Sequence, residues 1–280
     1  MGELFAVGAS APLRFSFRFR GMDRRRGYRE EGWGITVLQG RAALTFKEPA
    51  SRPDPATAQM LADGRALRGE GAVAYIRRWT HSASLANCHP FVRELGGREW
   101  AFAHNGSVPG LVSAAEFRPQ RFGPVGTTDS EYAFCVLLDR LAGGQGPPPE
   151  AGREGQGRAE ALLHVLHPAS VSVARYGMFN YVLLTERSLV VFSSGEYGLY
   201  LMALPAQPAP LLLQDEDWQI ELHADGAAGP CVLAASNPMT DGDWRRLDPG
   251  EMVVVVDGQA VARRSAAKVV GRRPGPAAKA

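Results

Sequence analysis

An arginine directly follows an apolar segment in the first third of the chain. Residues 72–76 read Ala-Val-Ala-Tyr-Ile, and Arg77 comes next. A guanidinium at the end of a buried strand is costly unless it pairs with an anion, and its planar fork fits a carboxylate. Arg77 is therefore a candidate for binding an anionic group.

A second apolar segment, residues 100–104, ends in the dipeptide Asn105-Gly106. Asn-Gly is most often a simple turn. The same dipeptide can also aim an amide side chain and a backbone N–H at one developing oxyanion. This segment alone leaves both interpretations open.

Residues 126–131, Gly-Thr-Thr-Asp-Ser-Glu, are typical of a helix N-terminus, and an apolar pattern continues from Asp129 to Leu141. A second helix is predicted over residues 159–166. Short apolar runs rich in β-branched residues predict strands over residues 3–9, 34–38, 72–76, 100–104, 181–185, 189–193, 199–204, 218–222, 231–235 and 252–256. Many strands with few helices indicate an α+β layered protein.

Two segments lack the large apolar residues that a core needs. The first is residues 143–158, which we predict to be a flexible surface loop between two helices. The second is residues 259–280, predicted to be a basic, disordered tail behind a single domain of residues 1–258. Residues 263–280 carry six basic residues and no acidic one, so the rest of the chain has a formal charge of −4 against a total of +2.

Composition argues against several classes of function. The body of the chain is mildly acidic, which does not favour a nucleic-acid-binding surface. No stretch approaches the roughly 18 apolar residues of a membrane span. The three cysteines, Cys88, Cys135 and Cys231, are far apart, so we expect no disulfide framework, no metal site and a reducing cytoplasm. No cofactor is expected.

Several spaced motifs occur in one order over residues 1–258. They are Glu3-Leu4-Phe5, Gly32-Trp33-Gly34-Ile35, Ile76-Arg77, Asn87 with His89-Pro90-Phe91, Arg93-Glu94-Leu95, Ala103-His104-Asn105-Gly106 and Thr128-Asp129-Ser130-Glu131. This series resembles the class II, Ntn-type glutamine amidotransferases, and most closely the bacterial subfamily related to glutathione-degrading γ-glutamyl amidases. The resemblance implies a four-layer α/β/β/α sandwich with the active site at one edge of the paired sheets.

The resemblance also implies roles for individual residues. Arg77 would clamp the α-carboxylate of the substrate and Asp129 would hold its α-ammonium, while Asn105 and Gly106 would form the oxyanion hole. Thr80, His81 and His89 match positions near the glutamine in some family members. In the family the initiator Met is removed, residue 2 is a cysteine that attacks the amide, and its α-amino group is the base.

The central departure from this pattern is Gly2, which has no side chain to attack a substrate. Loss of a covalent nucleophile removes most of the acceleration, so ordinary amidotransferase activity is not expected. If the rest of the pocket is intact, Gly2→Cys is expected to restore measurable amidase activity. A second departure is residues 22–31, a charged stretch where the family has a glycine-rich loop.

Three hypotheses about function follow. The first is a catalytically degenerate amidotransferase that binds glutamine or a γ-glutamyl compound, or serves as the non-catalytic partner of another enzyme. The second is an amide hydrolase in which residue 2 has been substituted. The third is a structural or regulatory module that has lost the ligand.

Other candidate sites are weaker. Cys88 lies next to His89, but adjacent residues of an extended chain point to opposite faces, which argues against a substitute Cys-His pair. Cys135 falls on the apolar stripe of the helix after Asp129 and is predicted to be core. His164 and His167 are three residues apart but have no nearby carboxylate or thiol as a further metal ligand.

Overall fold

A computed structural model describes residues 2–20, 30–50, 52–65, 67–78, 84–143, 152–205, 210–226 and 229–266. The helices are α1 (Pro55–Asp63), α2 (Asp129–Ala142) and α3 (Gly155–Val173). The strands are β1 (Glu3–Phe19), β2 (Glu30–Gln39), β3 (Ala42–Glu48), β4 (Arg68–Arg78), β5 (Phe91–Glu94), β6 (Glu99–Ser107), β7 (Met178–Thr185), β8 (Ser188–Ser193), β9 (Tyr200–Leu204), β10 (Leu211–Gln214), β11 (Trp218–Ala224), β12 (Cys231–Ala235), β13 (Arg245–Arg246), β14 (Glu251–Val256) and β15 (Gln259–Arg264).

The strands form two antiparallel sheets. In the first, the order is β13-β9-β12-β1-β4-β2-β3, and the β10–β11 hairpin joins it through β1. Strand β1 is long enough to pair with β12 along its first half and with β11 along its second half. The second sheet has the order β15-β14-β8-β7-β6-β5.

The two sheets pack face to face because alternate residues of their strands are apolar on both faces. Leu4, Val73, Ala103, Val182 and Val253 belong to the core between the sheets. Helices α2 and α3 cover the outer face of the second sheet, around Phe102, Phe134 and Leu166. Helix α1 lies on the outer face of the first sheet, where Leu61 packs into a separate core formed between the helix and this face. The predicted α+β sandwich of four layers is confirmed.

Helix α2 begins and ends where its sequence requires. The Thr128 side chain accepts a hydrogen bond from the Glu131 N–H, and Gly143 ends the helix with a φ of 46° in the left-handed region. Asp129 and Glu131 place negative charge in the first turn, where the helix dipole favours it. This helix therefore holds Asp129 at a fixed position next to the end of β6.

The structure corrects the boundaries of the predicted loop, residues 143–158, and of the predicted tail, residues 259–280. Residues 259–264, assigned to the tail, form β15 and pair with β14 at the edge of the second sheet. The backbone ladder stabilises this strand although its side chains are mostly exposed. Helix α3 begins at Gly155, inside the predicted loop of residues 143–158. Residues 144–151 and 267–280 lie outside the described part of the chain.

In the ranges that the structure describes, no helix is long and apolar enough to cross a membrane.

Candidate functional site

Gly2, Arg77, Asn105 and Asp129 lie at one edge of the space between the sheets. Gly2 directly precedes β1, Arg77 lies near the end of β4, and Asn105 lies near the end of β6. Tyr75 pairs with Leu4 across the β1–β4 ladder, and both contribute to the core between the sheets. Asn105 is two residues after Ala103 of the same core, so its side chain also faces the first sheet.

Asn105 is buried and links the second sheet to the start of the chain. Its Nδ2 donates to the Gly2 carbonyl oxygen and to the Ser236 Oγ, both at 2.9 Å. The Ser236 Oγ in turn accepts from the Leu4 N–H at 3.1 Å. Residue 2 and Asn105 are thus in direct contact. Both N–H bonds of the amide are used inside the protein, so an oxyanion would have to replace one of these acceptors.

Gly106 must be glycine for a reason separate from catalysis. It pairs with Phe179 across the β6–β7 ladder, and a Cβ there would collide with the Met178 carbonyl oxygen and the His104 ring. The Asn-Gly sequence is therefore part of a strand in this protein and does not form a two-residue hairpin turn.

The space around Gly2 is occupied by the side chain of Tyr75. A Cβ on residue 2 would lie 2.5 Å from the Tyr75 Cζ, and closer still to its Oη and to the Ile76 carbonyl oxygen. Gly2 itself is buried. A cysteine at residue 2 therefore does not fit the present arrangement, which counts against the sequence-based expectation that Gly2→Cys alone restores activity.

Arg77 is half-buried and donates a hydrogen bond to the carbonyl oxygen of Asn87. The Asn87 side chain accepts from the Thr127 N–H at 2.8 Å and donates to the Thr127 Oγ at 3.2 Å. Arg77 is thus connected through Asn87 to the segment that starts α2. The guanidinium and the first turn of α2 are held on the same side of the site.

Asp129 fastens the first turn of α2 to the end of β6. Its Oδ2 accepts from the Val108 N–H at 2.6 Å and from the Ser107 hydroxyl at 3.0 Å. Within the described part of the chain, its Oδ1 has one long contact, 3.5 Å from the Ser130 Oγ. One oxygen of this half-buried carboxylate thus serves the fold, and the other has little internal hydrogen bonding.

A buried ion pair supports the same loop. Arg93 and Glu131 form a salt bridge in which the Glu131 side chain is 1% exposed. The other Glu131 oxygen accepts from the Gly126 N–H at 2.6 Å. Both residues belong to the spaced motifs of the sequence, but their pairing was not predicted. A carboxylate on the buried face of a helix indicates a basic partner, because charged side chains are rarely buried unless they are paired.

His89 is buried between two aromatic rings. Its ring centroid is 4.4 Å from that of Tyr75 and 4.5 Å from that of Phe91. Neither ring nitrogen hydrogen-bonds to a residue that the structure describes. Burial, followed by repulsion from the basic neighbours Arg77, His104 and Lys47 if the ring were protonated, holds the pKa of His89 well below its usual value, so the imidazole is neutral.

Two glycines explain how the His89 segment reaches the first sheet. A Cβ on Gly34 would collide with the His89 carbonyl oxygen, and a Cβ on Gly32 would lie 2.9 Å from the Cys88 Sγ. The Gly-Trp-Gly motif therefore allows residues 88–90 to pack directly onto β2. Trp33, between the two glycines, faces the core on the outer side of the first sheet and is fully buried.

His104 has a structural position next to the site. Its Nε2 donates to the Met178 carbonyl at 3.0 Å, and its Nδ1 accepts from the Ser130 hydroxyl at 2.9 Å. We assign this tautomer because a carbonyl can only accept. Burial lowers the pKa of His104, partly offset by the charge of Asp129 and the hydrogen bond to Met178. The ring thus joins β6, β7 and α2.

The remaining candidates do not form a second site. Cys88 is buried, its Sγ lies 3.3 Å from the Ser84 carbonyl, and burial raises the pKa of its thiol. Cys135 is buried in α2, and burial raises its pKa to about 11. Both cysteines are thiols at neutral pH, which argues against a nucleophilic role. His167 bonds to the Gly250 carbonyl, whereas His164 is exposed. Thr80 and His81 lie outside the described residues.

Two antiparallel sheets packed face to face, with the start of the chain against an asparagine at their edge, define an Ntn-type amidotransferase fold. The chain belongs to the class II glutamine amidotransferases, whose family model matches residues 1–276.

Similar proteins agree with this assignment. The chain is 31% identical over 267 residues to YafJ of Escherichia coli, provisionally named a glutamine amidotransferase, with 93% of this chain and 100% of YafJ covered. The crystal structure of a predicted glutamine amidotransferase from Pseudomonas aeruginosa PA01 has a TM-score of 0.71 and 31% identity, covering 93% of this chain and 99% of that one.

A second similar structure is more distant. Glutamine phosphoribosylpyrophosphate amidotransferase from Bacillus subtilis has a TM-score of 0.53 and 15% identity, with 94% of this chain and 49% of that chain covered. At this identity the likeness concerns the fold alone.

Proposed function

We propose that this protein binds glutamine or a γ-glutamyl compound at the edge between its sheets and does not hydrolyse it. The observation that carries the proposal is Gly2 itself. Residue 2 supplies no nucleophile, its carbonyl is bonded to Asn105, and the volume of a residue-2 side chain is filled by Tyr75. The covalent step of the family has no group to perform it.

Groups suited to an amino-acid ligand lie beside this filled position. The Arg77 guanidinium suits an α-carboxylate, because its fork can donate two parallel hydrogen bonds. The Asp129 Oδ1, with only a 3.5 Å internal contact, suits an α-ammonium. The neutral His89 ring offers one donor and one acceptor nitrogen to an amide. A carboxylate and an ammonium on one ligand carbon are the marks of an α-amino acid, and both glutamine and glutathione carry them.

The second hypothesis, an amide hydrolase with a substituted residue 2, is disfavoured by the packing of Tyr75 against Gly2. A cysteine could not take that position without a shift of the Tyr75 side chain and of residue 2 relative to the Ile76 carbonyl. A location in the cytoplasm stays a prediction from the cysteine content. A protein partner stays a prediction as well.

Calorimetric titration with glutamine and with glutathione tests the ligand proposal. We expect binding in the micromolar to millimolar range by wild type. Asp129→Asn removes the negative charge that pairs with the ligand ammonium, and we expect it to weaken binding about tenfold or more, equivalent to about 1.4 kcal/mol.

Asp139→Asn is the matched control. Asp139 lies on the same helix and also accepts backbone N–H groups, from Gln120, Arg121 and Phe122. It should lower stability as Asp129→Asn does but leave the dissociation constant unchanged. Equal affinity in wild type and Asp129→Asn would contradict the assigned role, and no binding of either compound at millimolar concentration would refute the proposed function.

A further inference from the structure

We infer that Tyr75 is the residue that keeps the nucleophile position closed, and that Gly2 and Tyr75 form a sterically complementary pair. The inference deepens the proposed function, because it states why this site binds without reacting. Its packing claim stands on geometry alone and can be tested without a ligand.

The geometry of the pair leaves no room for a larger residue 2. An added Cβ would lie 2.5 Å from the Tyr75 Cζ and nearer to the Oη, whereas Cβ atoms essentially never approach heavy atoms closer than 3.0 Å. The distal end of the tyrosine therefore occupies the space into which a residue-2 side chain would project. The proximal part of the ring is not among the nearest atoms.

Tyr75 cannot easily turn away from this position. Its side chain is buried, and its ring packs against that of His89 at a centroid distance of 4.4 Å. His89 is itself fixed by Phe91 at 4.5 Å and by the close packing of its backbone on Gly34. A buried ring between fixed neighbours has few alternative rotamers, so the cost of enlarging residue 2 falls on the local fold.

Residue 2 cannot easily move either. Its carbonyl accepts from Asn105 at 2.9 Å, and the next residue, Glu3, is paired with Ile76. The Ile76 carbonyl oxygen is the other close neighbour of an added Cβ. Relief from that oxygen requires residue 2 to rotate, and we expect this rotation to be possible only when the Tyr75 ring is absent.

A double-mutant cycle on thermal stability tests the pair. We expect Gly2→Ala to lower the Tm of the wild-type protein by about 4 °C or more, because it adds one carbon to a filled space. In a Tyr75→Leu background, where Cζ and Oη are absent and the Ile76 carbonyl oxygen remains, the same change should lower the Tm by less than half as much. In a Tyr75→Phe background, where Cζ remains, most of the penalty should persist.

Tyr181→Phe is the control for additivity. Tyr181 is a buried tyrosine on the outer face of the second sheet, in the core under α2 and α3. Its hydroxyl hydrogen-bonds to the Ser170 hydroxyl at 2.8 Å. The Tm changes of Gly2→Ala and Tyr181→Phe should add, as expected for separate sites. Should Tyr75→Leu destabilise the fold too far, Tyr75→Val and Tyr75→Met provide the same comparison.

Two results would overturn the inference. One is a Gly2→Ala penalty of the same size in the wild-type and Tyr75→Leu backgrounds, and the other is no penalty in wild type. The cycle uses no ligand, so its outcome is independent of glutamine binding. If neither ligand binds but the Tm changes at residues 2 and 75 are coupled, only the proposed function is refuted. If a ligand binds but the Tm changes are not coupled, only the Gly2–Tyr75 pair is refuted.

Discussion

The two halves of the site differ in how their polar groups are used. At the nucleophile end, both N–H bonds of the Asn105 amide are taken by Gly2 and Ser236, and Tyr75 fills the side-chain volume. At the ligand end, both nitrogens of His89 lack a partner among the described residues and one oxygen of Asp129 has only a long contact. Buried polar groups are usually satisfied, so the partnerless His89 nitrogens suit a ligand, although the Asn105 Oδ1 at the nucleophile end also lacks a partner among the described residues. On the proposed function, the ligand end keeps groups for recognition while the nucleophile end has none for attack.

The largest expected effect comes from rebuilding the nucleophile end. Gly2→Cys alone should release ammonia from glutamine no faster than wild type, because Tyr75 blocks the sulfur. Gly2→Cys combined with Tyr75→Leu should raise the rate at least 10²-fold over wild type, since a thiol then has room to attack the amide carbon. Ammonia production with purified, Met-processed protein measures both.

The oxyanion role of Asn105 is checked in the same background. Adding Asn105→Ala to the active double variant should lower its rate by about 10² if the amide can turn from Gly2 to the tetrahedral oxygen. Activity of Gly2→Cys alone equal to that of the double variant would contradict the blocked nucleophile position. A rate unaffected by Asn105→Ala would remove Asn105 from the chemistry.

The next effect concerns the support of the ligand end. Arg93→Ala leaves the fully buried Glu131 carboxylate without its cation, and breaking such a pair typically costs about 3–5 kcal/mol. Denaturant unfolding measures the loss, and glutamine affinity should fall as well because Glu131 holds Gly126 near Asp129.

Arg187→Ala is the comparison for Arg93→Ala. Arg187 pairs with Asp257 at 2.6 Å, but both side chains are partly exposed, so about 1 kcal/mol or less is expected. Equal losses of stability for the two variants would show that the Arg93 pair has no special role.

The smallest expected effect is a pH dependence from His89. Its pKa is lowered in the folded state, so the unfolded chain takes up a proton first as the pH falls below the ordinary value of 6.5. The stability is fully present above that pH and decreases as the pH falls toward the lower folded-state pKa. His104 is shifted in the same direction by burial, so it adds to the slope.

His89→Phe keeps an aromatic ring between Tyr75 and Phe91 but cannot be protonated. The change in unfolding free energy between pH 7 and pH 5 should therefore be smaller in this variant than in wild type. His164→Gln, at an exposed position on α3, is the control. An unchanged slope in His89→Phe would mean that His89 is not buried as described.

Much of the fold could be predicted from sequence because local patterns determine its elements. Nine of the ten predicted strands lie within an observed one, the tenth, residues 199–204, begins one residue before β9, and Asp129 starts α2 as expected. Helix α1 was missed, although Asp54 accepts from the Ala56 and Thr57 N–H groups and Gly64 ends the helix at a φ of 65°. Those residues are helix-start and helix-end signals, but the segment between them has only one fully buried residue, Leu61.

The candidate site was predictable only in part. The order of the motifs allowed four residues to be assigned to one site. Each lies near the end of a helix or strand, at the same edge of the sheets: Gly2, Arg77, Asn105 and Asp129. The role of Tyr75 was not predictable, since it depends on the register that pairs Leu4 with Tyr75 and on the position of the His89 ring. Ser236 was missed for the same reason, because β12 reaches β1 only through a long-range ladder.

The most direct test of the central claim is one NMR time course of wild-type protein with glutamine. Saturation-transfer signals report contact between ligand and protein, and the same spectra report conversion of glutamine to glutamate. We predict saturation transfer to glutamine with its concentration unchanged, because a bound amide meets no nucleophile at Gly2. Conversion at about one turnover per second or faster would contradict the account, and so would the absence of any transfer at millimolar glutamine.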